Sequence, residues 1–483
     1  MARTGTGSPR WLRAVGFAVE IPGDGSQTGR PAKGEEGRCP RLAAGAGRGI
    51  GVDRSRIWPH KNTAEDRAAR QAQVRATPDW DARAEVALTL PPDVAAPFER
   101  VVECLTGTVQ LPVSVVGPLA VEMGRYRLDD AGRAVEEGRV TDEVLIPLAH
   151  TEGGLSASML RGAKATRAAG GVRTYVLADG MTRASYFQLE DTAAAVRFAR
   201  WVGEQAPGMR AWLADPDNPL AQQGSATGVG VLSRHAVLRQ VRTHVLGRGC
   251  HVLYRFTTGD ACGPNMMTRN AHALNTHYVA ERFPAATGLT IHRILLEANM
   301  GGDKKPSQQY FQEGHGKTVI AAVDLPARTL RRYLRCSVDD VVALQEIGLH
   351  GSHASGMQSA AFTPASAIAA IFAATGQDLG MVGTSSMAHS IAERSAAGVH
   401  LSIRLPGLEV GTVGGGTVLP HSQAWLRLLG CDGPDTVYRF AQIVAAAALC
   451  LELSAAAAMA VAGSENFYLA HLERGGQRGI VGC

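Results

Sequence analysis

The sequence predicts an α+β protein, and three observations carry that expectation. At 483 residues the chain is long enough for two or three domains with substantial cores. Helical apolar spacing marks several long stretches, but between about residues 184 and 296 the texture changes and strand-like alternation enters. The glycines at Gly228 and Gly230 do not sit between a clear strand and a clear helix, so they make no dinucleotide-binding fingerprint.

Taken in order, the first fifty residues hold eight basic side chains against four acidic ones, which accounts for most of the net charge of +5. That stretch is rich in Gly and Pro without sustained periodicity, so residues 1–55 are expected to be a disordered basic segment. It has no continuous apolar core of the signal-peptide kind. It also lacks the interleaved aromatics of a nucleic-acid-binding arm, and the rest of the chain is nearly neutral, so no nucleic-acid partner is expected. Ala64–Arg75 and Pro97–Leu105 read as helices on a polar surface and make residues 56–106 a small helical region.

The main domain starts near Gly107. Within 184–296, Asp191–Trp201 has helical spacing, while Gly228–Leu232 and Cys250–Thr257 suggest strands. Further on, Leu325–Leu334 and Ser337–Ile347 look helical, and Thr363–Thr375 is an apolar helix with Gly376 as its C-cap. The late Ala-rich helix Val444–Ala462 is interrupted by Glu452 and Ser454, so it is expected to be buried rather than to span a membrane.

Apolar residues at 45% and charged residues at 19% are ordinary for a globular enzyme, while few aromatics and abundant Ala and Gly favour closely packed helices. The cysteines are scattered and show no metal-ligand spacing, so no metal is expected and a reducing cytoplasm is the simplest setting.

Six short stretches carry the functional reading. Pro147–Lys164 (PLAHTEGGLSASMLRGAK) places the lone acid Glu152 at the start of a helix of small residues. Leu177–Arg183 reads LADGMTR, Thr258–Met266 reads TGDACGPNM, and Gly302–Lys317 reads GDKKPSQQYFQEGHGK. Gly376–Asp378 reads GQD and Gly411–Thr417 reads GTVGGGT; Gly107–Leu119 (GTVQLPVSVVGPL) precedes them all. In this order and spacing they resemble the catalytic domain of the 3-hydroxy-3-methylglutaryl-CoA reductase family, from roughly Val101 to His471.

The resemblance implies a large mixed α/β catalytic domain formed by 107–183 and 297–483. Residues 184–296 become an inserted, small, ferredoxin-like and non-Rossmann domain for NADPH. The implied reaction is reduction of 3-hydroxy-3-methylglutaryl-CoA to mevalonate and CoA with two NADPH, through a mevaldyl-CoA hemithioacetal. Such a site must stabilise an oxyanion, hold a hydride donor, supply protons and protonate a thiolate. By the resemblance, Lys304 polarises the thioester carbonyl, Glu152 delivers a proton to the same oxygen, and Asp378 lies between them. His471 protonates the departing thiolate, although the segment leading to it is about three residues longer than the family spacing.

Asp260, Gly263, Asn265 and Met266 would approach the dinucleotide, with Gly414, Gly415 and Gly416 as a second loop. Ser233 and Arg234 fall where NADPH-using members hold the 2′-phosphate, the chemistry a hydroxyl and a guanidinium provide. Arg161, Arg183, Asp303 and Lys305 would line the acyl and cofactor pocket. The family's shared sites further imply a homodimer or tetramer, the Lys of one chain meeting the Glu and Asp of the other.

Departures stand at Glu297, Ile347 and Ser366, where the family carries Ser, Lys and Asn. Glu297 either adds a negative charge to the acyl pocket or pairs with Arg293. The rival readings are reductive chemistry on a related acyl-CoA, or a catalytically silent nucleotide-binding homologue.

Overall fold

The computed structural model describes residues 59, 61–78, 80–221, 223–224, 230–464 and 467–468, all within the compact unit Trp58–Cys483. The segment expected to be disordered, 1–55, and the candidate His471 lie outside the described residues.

Helix α1 (Ala64–Arg75) matches its expected bounds, its first turn capped by the Thr63 side chain accepting from Asp66 N. Arg70, buried on that helix, donates to the carbonyls of Leu105 (2.6 Å), Pro59 (2.8 Å) and Lys61 (3.0 Å) and so gathers the helical region around one guanidinium. The next helix of length, α2 (Pro92–Glu99), lies earlier than the expected 97–105. A proline is tolerated in a first turn, and Pro92 starts this helix.

The large sheet has the order β2–β1–β3–β7–β9–β8. Its strands are β1 (Val113–Leu128), β2 (Ala134–Ala149), β3 (Val172–Gln188), β7 (Gly316–Pro326), β8 (His389–Arg394) and β9 (Gly398–Leu408). Helix α3 (Leu155–Ala168), between β2 and β3, packs against the last helix, Val437–Ala460. A Cβ at Gly162 of α3 would stand 1.9 Å from the Cys450 carbonyl oxygen, so the small-residue face is what lets the two backbones approach. The last helix is long and apolar enough to cross a membrane by length and composition, yet 78% of its most apolar window is buried, as expected of a core helix.

Strand β3 changes partners midway. Arg173–Gly180 pair with β7, whereas Met181–Gln188 pair with β5 (Gly249–Thr257) and, at their far end, with β6 (Arg293–Leu295). With β4 (Val237–Leu246) beside β5, the second sheet has the antiparallel order β6–β3–β5–β4. Helices α4 (Thr192–Ala214) and α5 (Pro264–Ala273) supply its connections, giving strand–helix–strand–strand–helix–strand. This sheet has its own hydrophobic core, including Phe187, Phe198, Tyr254, Phe256 and Phe283. The expected boundary at 183/184 therefore falls inside a continuous strand. The expected strand Gly228–Leu232 is absent from its described part, where Gly230 forms only an isolated bridge with Gly224.

The later helices are the 3₁₀-free pair α6 (Val338–Ala354) and α7 (Pro364–Thr375), then α8 (Pro420–Leu428) and α9 (Val437–Ala460). The helix expected over 325–334 is present but begins at Ala327, as Ala327–Thr329 and Leu330–Leu334, because β7 runs on through Pro326 with Leu325 buried in the sheet. Helix α7 ends at Gly376, whose φ of +68° suits a glycine C-cap.

Glu452, buried on α9, joins three segments. Its carboxylate accepts from Phe362 N (2.9 Å), Thr363 N (2.9 Å), Thr363 Oγ1 (2.8 Å) and Ser390 Oγ (2.9 Å), bracing the entry to α7 and the start of β8. Glu452→Gln replaces an oxygen by an NH₂ among these donors and is expected to lower stability by about 1–3 kcal/mol, as leaving buried donors unsatisfied does. Urea unfolding measures it, and an unchanged midpoint rejects the role.

Candidate active site

The site grows from the turn at Gly302–Lys305. Gly302 (φ +67°) and Lys304 (φ +60°) are both left-handed, and Lys305 N donates back to Gly302 O at 2.9 Å. For a lysine that conformation is uncommon and persists only when neighbours hold it. Asp303 provides the hold. Arg183 of β3 reaches Asp303 Oδ2 at 2.7 Å, and His315 Nε2 lies 3.2 Å from Oδ1. Burial pushes the Asp303 carboxyl up, but the His315 hydrogen bond and Arg183 together keep it below the usual range.

Lys304 then projects to Asp378, Nζ to Oδ2 at 2.8 Å, with both side chains about half exposed. The Asp378 hydrogen bond raises the Lys304 pKa, against a smaller opposing effect of burial. Asp378 Oδ1 also accepts from Gly380 N at 2.9 Å, so it caps a short helical turn as well as pairing. Its position comes from the glycine loops. Gly376 and Gly416 face each other so closely that a Cβ on Gly376 would lie 2.3 Å from the Gly416 carbonyl oxygen. Between them the Gln377 side-chain amide exchanges two 2.9 Å hydrogen bonds with the Gly411 backbone. The GQD and GTVGGGT stretches are thus one unit, with Gly414 and Gly415 at positive φ beside open space.

Glu297 answers the question left open by the sequence. It pairs with Arg183 (2.8 Å) and accepts from Asn299 N (2.7 Å), not with Arg293, which lies on strand β6 rather than a helix. Lys305 bonds the Asn299 side chain.

Glu152 stands apart. It is exposed, two residues ahead of the Gly154 cap (φ +86°) and hence outside α3, and it forms no hydrogen bond or ion pair with another described side chain. The expectation that one chain's Lys meets the other's Glu and Asp is corrected in part, because Lys304 and Asp378 pair within one chain. Arg161 is engaged in helix packing, donating through Nε to Ser454 Oγ at 2.9 Å and through a terminal nitrogen to Ser454 O at 2.5 Å.

On the cofactor side, Asp260 is committed to the fold, its carboxylate accepting from Asp435 N (2.7 Å) and Val437 N (3.0 Å) at the start of α9. Gly263 (φ +91°) caps α5 without a side-chain hydrogen bond, leaving Asn265 exposed and Met266 half-buried in the first turn. Asn270 of α5 grips the Ser233 backbone at both N–H (2.8 Å) and C=O (2.9 Å). Ser233 Oγ is buried without a hydrogen bond, and Arg234 beside it is exposed and without an ion pair among the described residues.

Sequence reading missed two groups. His315 and Glu409 are buried beneath the Asp303 turn; the one signal was the GHG triplet, whose glycines both take positive φ. His150, ahead of Glu152, lies 2.8 Å from Ser156 Oγ and 3.4 Å from Ser114 Oγ, a cluster no spacing announced.

A family model described as hydroxymethylglutaryl-coenzyme A reductase matches residues 67–475. A 3-hydroxy-3-methylglutaryl-coenzyme A reductase from Aeropyrum pernix is 34% identical over 369 residues, covering 75% of this chain and 79% of that protein. One from Pyrococcus abyssi is 34% identical, covering 75% and 82%. In fold, the chain resembles a class II 3-hydroxy-3-methylglutaryl-CoA reductase from Streptococcus pneumoniae, solved bound to NADPH in open conformations. The TM-score is 0.56 at 16% identity, covering 82% of this chain and 97% of that one.

Removing the Asp378 charge tests the pair. In Asp378→Asn the Lys304 pKa falls toward its ordinary value, so Lys304 reacts several-fold faster with an amine-directed reagent at about pH 9, with Lys305 as internal control. Mass spectrometry of the labelled peptide reads this; equal Lys304 labelling in parent and variant means the pair is not formed.

Proposed function

The chain belongs to the hydroxymethylglutaryl-coenzyme A reductase family, and from that premise we propose how its residues divide the reaction. It is an NADPH-dependent oxidoreductase that reduces 3-hydroxy-3-methylglutaryl-CoA to mevalonate and CoA. The observation that carries the assignment of roles is the Lys304–Asp378 pair, seated on a turn that Arg183 and His315 fix through Asp303.

Lys304 donates to the thioester oxygen and stabilises the oxyanion as the mevaldyl-CoA hemithioacetal forms. Asp378 keeps Lys304 charged and aimed. Glu152 supplies a proton to the same oxygen, and His471 supplies one to the departing thiolate. Arg183 and Lys305 flank the acyl end.

The residues present fit NADPH, which supplies the hydride when bound. Ser233 Oγ, buried and unsatisfied, beside Arg234, which has no ion pair among the described residues, suits a phosphate monoester. The α5 N-terminus behind Gly263 offers backbone amides to the pyrophosphate, although Pro264 removes one of them. Gly414, Gly415 and Gly416 would close over it. Asn265 and Met266 are set in the first turn of that helix, while Asp260 acts at one remove by tying the loop to α9. The element order of the smaller sheet supports reading it as a ferredoxin-like, non-Rossmann cofactor module.

Glu152, without a side-chain partner among the described residues, is the reason to read the site as shared. A homodimer or tetramer brings it to the Lys304–Asp378 pair of a second copy. The described cysteines are free, which agrees with a cytoplasmic setting.

Purified protein should oxidise NADPH in the presence of 3-hydroxy-3-methylglutaryl-CoA, followed at the nicotinamide absorbance band. Arg234→Ala should raise the KM for NADPH by about 10–100-fold with little change in kcat, the loss of one charge-assisted hydrogen bond. Glu152→Gln and Lys304→Ala chains, each inactive alone, should regain part of the activity when co-assembled. No recovery in verified mixed oligomers rejects the shared site.

A further inference from the structure

Beneath the Asp303 turn lies a buried arrangement that the reaction as described does not use. The His315 and Glu409 side chains are both fully buried, His315 flat against Tyr310 at 4.1 Å between ring centres. The imidazole orientation is fixed by its hydrogen bonds. Thr182 N donates to Nδ1 at 3.3 Å, so the ring's proton sits on Nε2, which faces Asp303 Oδ1 at 3.2 Å and Glu409 Oε2 at 3.9 Å. One N–H thus confronts two carboxylates. Asp303 takes it, and Arg183 stabilises the Asp303 charge.

Glu409 is left with both oxygens buried and without a hydrogen bond among the described residues. Nearby Thr384 donates to the Met381 carbonyl instead (3.1 Å), and Lys317 spends its ammonium on Val410 O (3.2 Å) and Asp179 (3.8 Å). Asp303 and Asp378 repel an anion at Glu409, His315 and the Thr384 hydroxyl ease one without outweighing burial, and Lys304, Tyr310 and Cys262 feel its charge without bonding it. An unpaired buried carboxylate is costly, so the group holds its own proton. The same geometry speaks against a cation among Asp303, His315 and Glu409, although their ligand atoms lie within 4.8 Å, because Nε2 presents a proton rather than a lone pair.

We propose that Glu409 is a positioning residue whose proton leaves His315 free to hold Asp303, and through it the Lys304 turn, in the working arrangement. Proton loss makes Glu409 a second claimant for the Nε2 hydrogen and places a negative charge behind the Lys304–Asp378 pair, drawing Lys304 inward. Burial pushes Glu409 up to about 7, so this exchange lies in the neutral range. A raised carboxyl is neutral below that value and charged above it, so kcat falls on the alkaline side. The inference rests on Lys304 acting as the oxyanion-stabilising group.

Glu409→Gln, an uncharged isostere, tests it. The parent should show a fall in kcat centred near pH 7 with little change in substrate KM. The variant should match the parent within about threefold at acid pH and lack that fall. An unchanged alkaline limb, or an equal loss at every pH, overturns the proposal. Infrared spectroscopy of the parent needs neither turnover nor the variant. With carbon-13 in its glutamates, it should show a neutral carboxylic acid at about pH 6 that is gone by about pH 8. Absence of that band overturns the proposal even if reductase activity is present. Its presence in a protein without activity separates a failure of the functional reading from a failure of this one.

Discussion

Much of this structure depends on the point where β3 passes from one sheet to the other. Residues up to Gly180 pair with β7, and from Met181 onward with β5, so one continuous backbone belongs to two cores. Asp179, Thr182 and Arg183 cluster at that crossover. Thr182 N orients His315, Arg183 anchors both Asp303 and Glu297, and Asp179 takes the Tyr438 hydroxyl at 3.2 Å from α9. A strand's register is stiff, since a slip of one residue turns every side chain to the opposite face. The Asp303–Lys304 turn inherits its placement from that register rather than from its own sequence.

The second arm of the ion pair is held in a different way. Asp378 follows a glycine cap, and the cap is pressed against the 414–416 loop with no room for a Cβ on Gly376 or Gly416. Gln377 completes the seam through paired amide hydrogen bonds. Strands deliver Lys304 and a glycine seam delivers Asp378, so the ion pair records that the two supports agree. At 2.8 Å the two charges make a single electrostatic unit.

The buried helix α9 supplies the reference for both arms. Gln442 bonds Gly124 N and O at 2.8 and 2.9 Å, Asp260 caps its start, and Glu452 braces the approach to α7. An Ala-rich helix has few bulky side chains to define its rotation and depth. Satisfied buried polar groups do so instead, because each misplacement strands a donor in a dry interior.

The sequence by itself determined the family, the helices with clear periodicity and caps, and the residue types at Lys304, Asp378, Ser233 and Arg234. These are local properties, fixed by spacing and by the chemistry each side chain can perform. Tertiary structure alone decided that Asp260 serves α9, that Arg161 serves helix packing, and that Glu297 turns to Arg183. Each of those carboxylates and guanidiniums had more than one chemically suitable partner, and the choice was made by which backbone stood within about 3 Å, the reach of a hydrogen bond. That His315 and Glu409 meet was invisible for the same reason: they are ninety-four residues apart in the chain, and only the pairing of β7 with β9 brings them to one buried point.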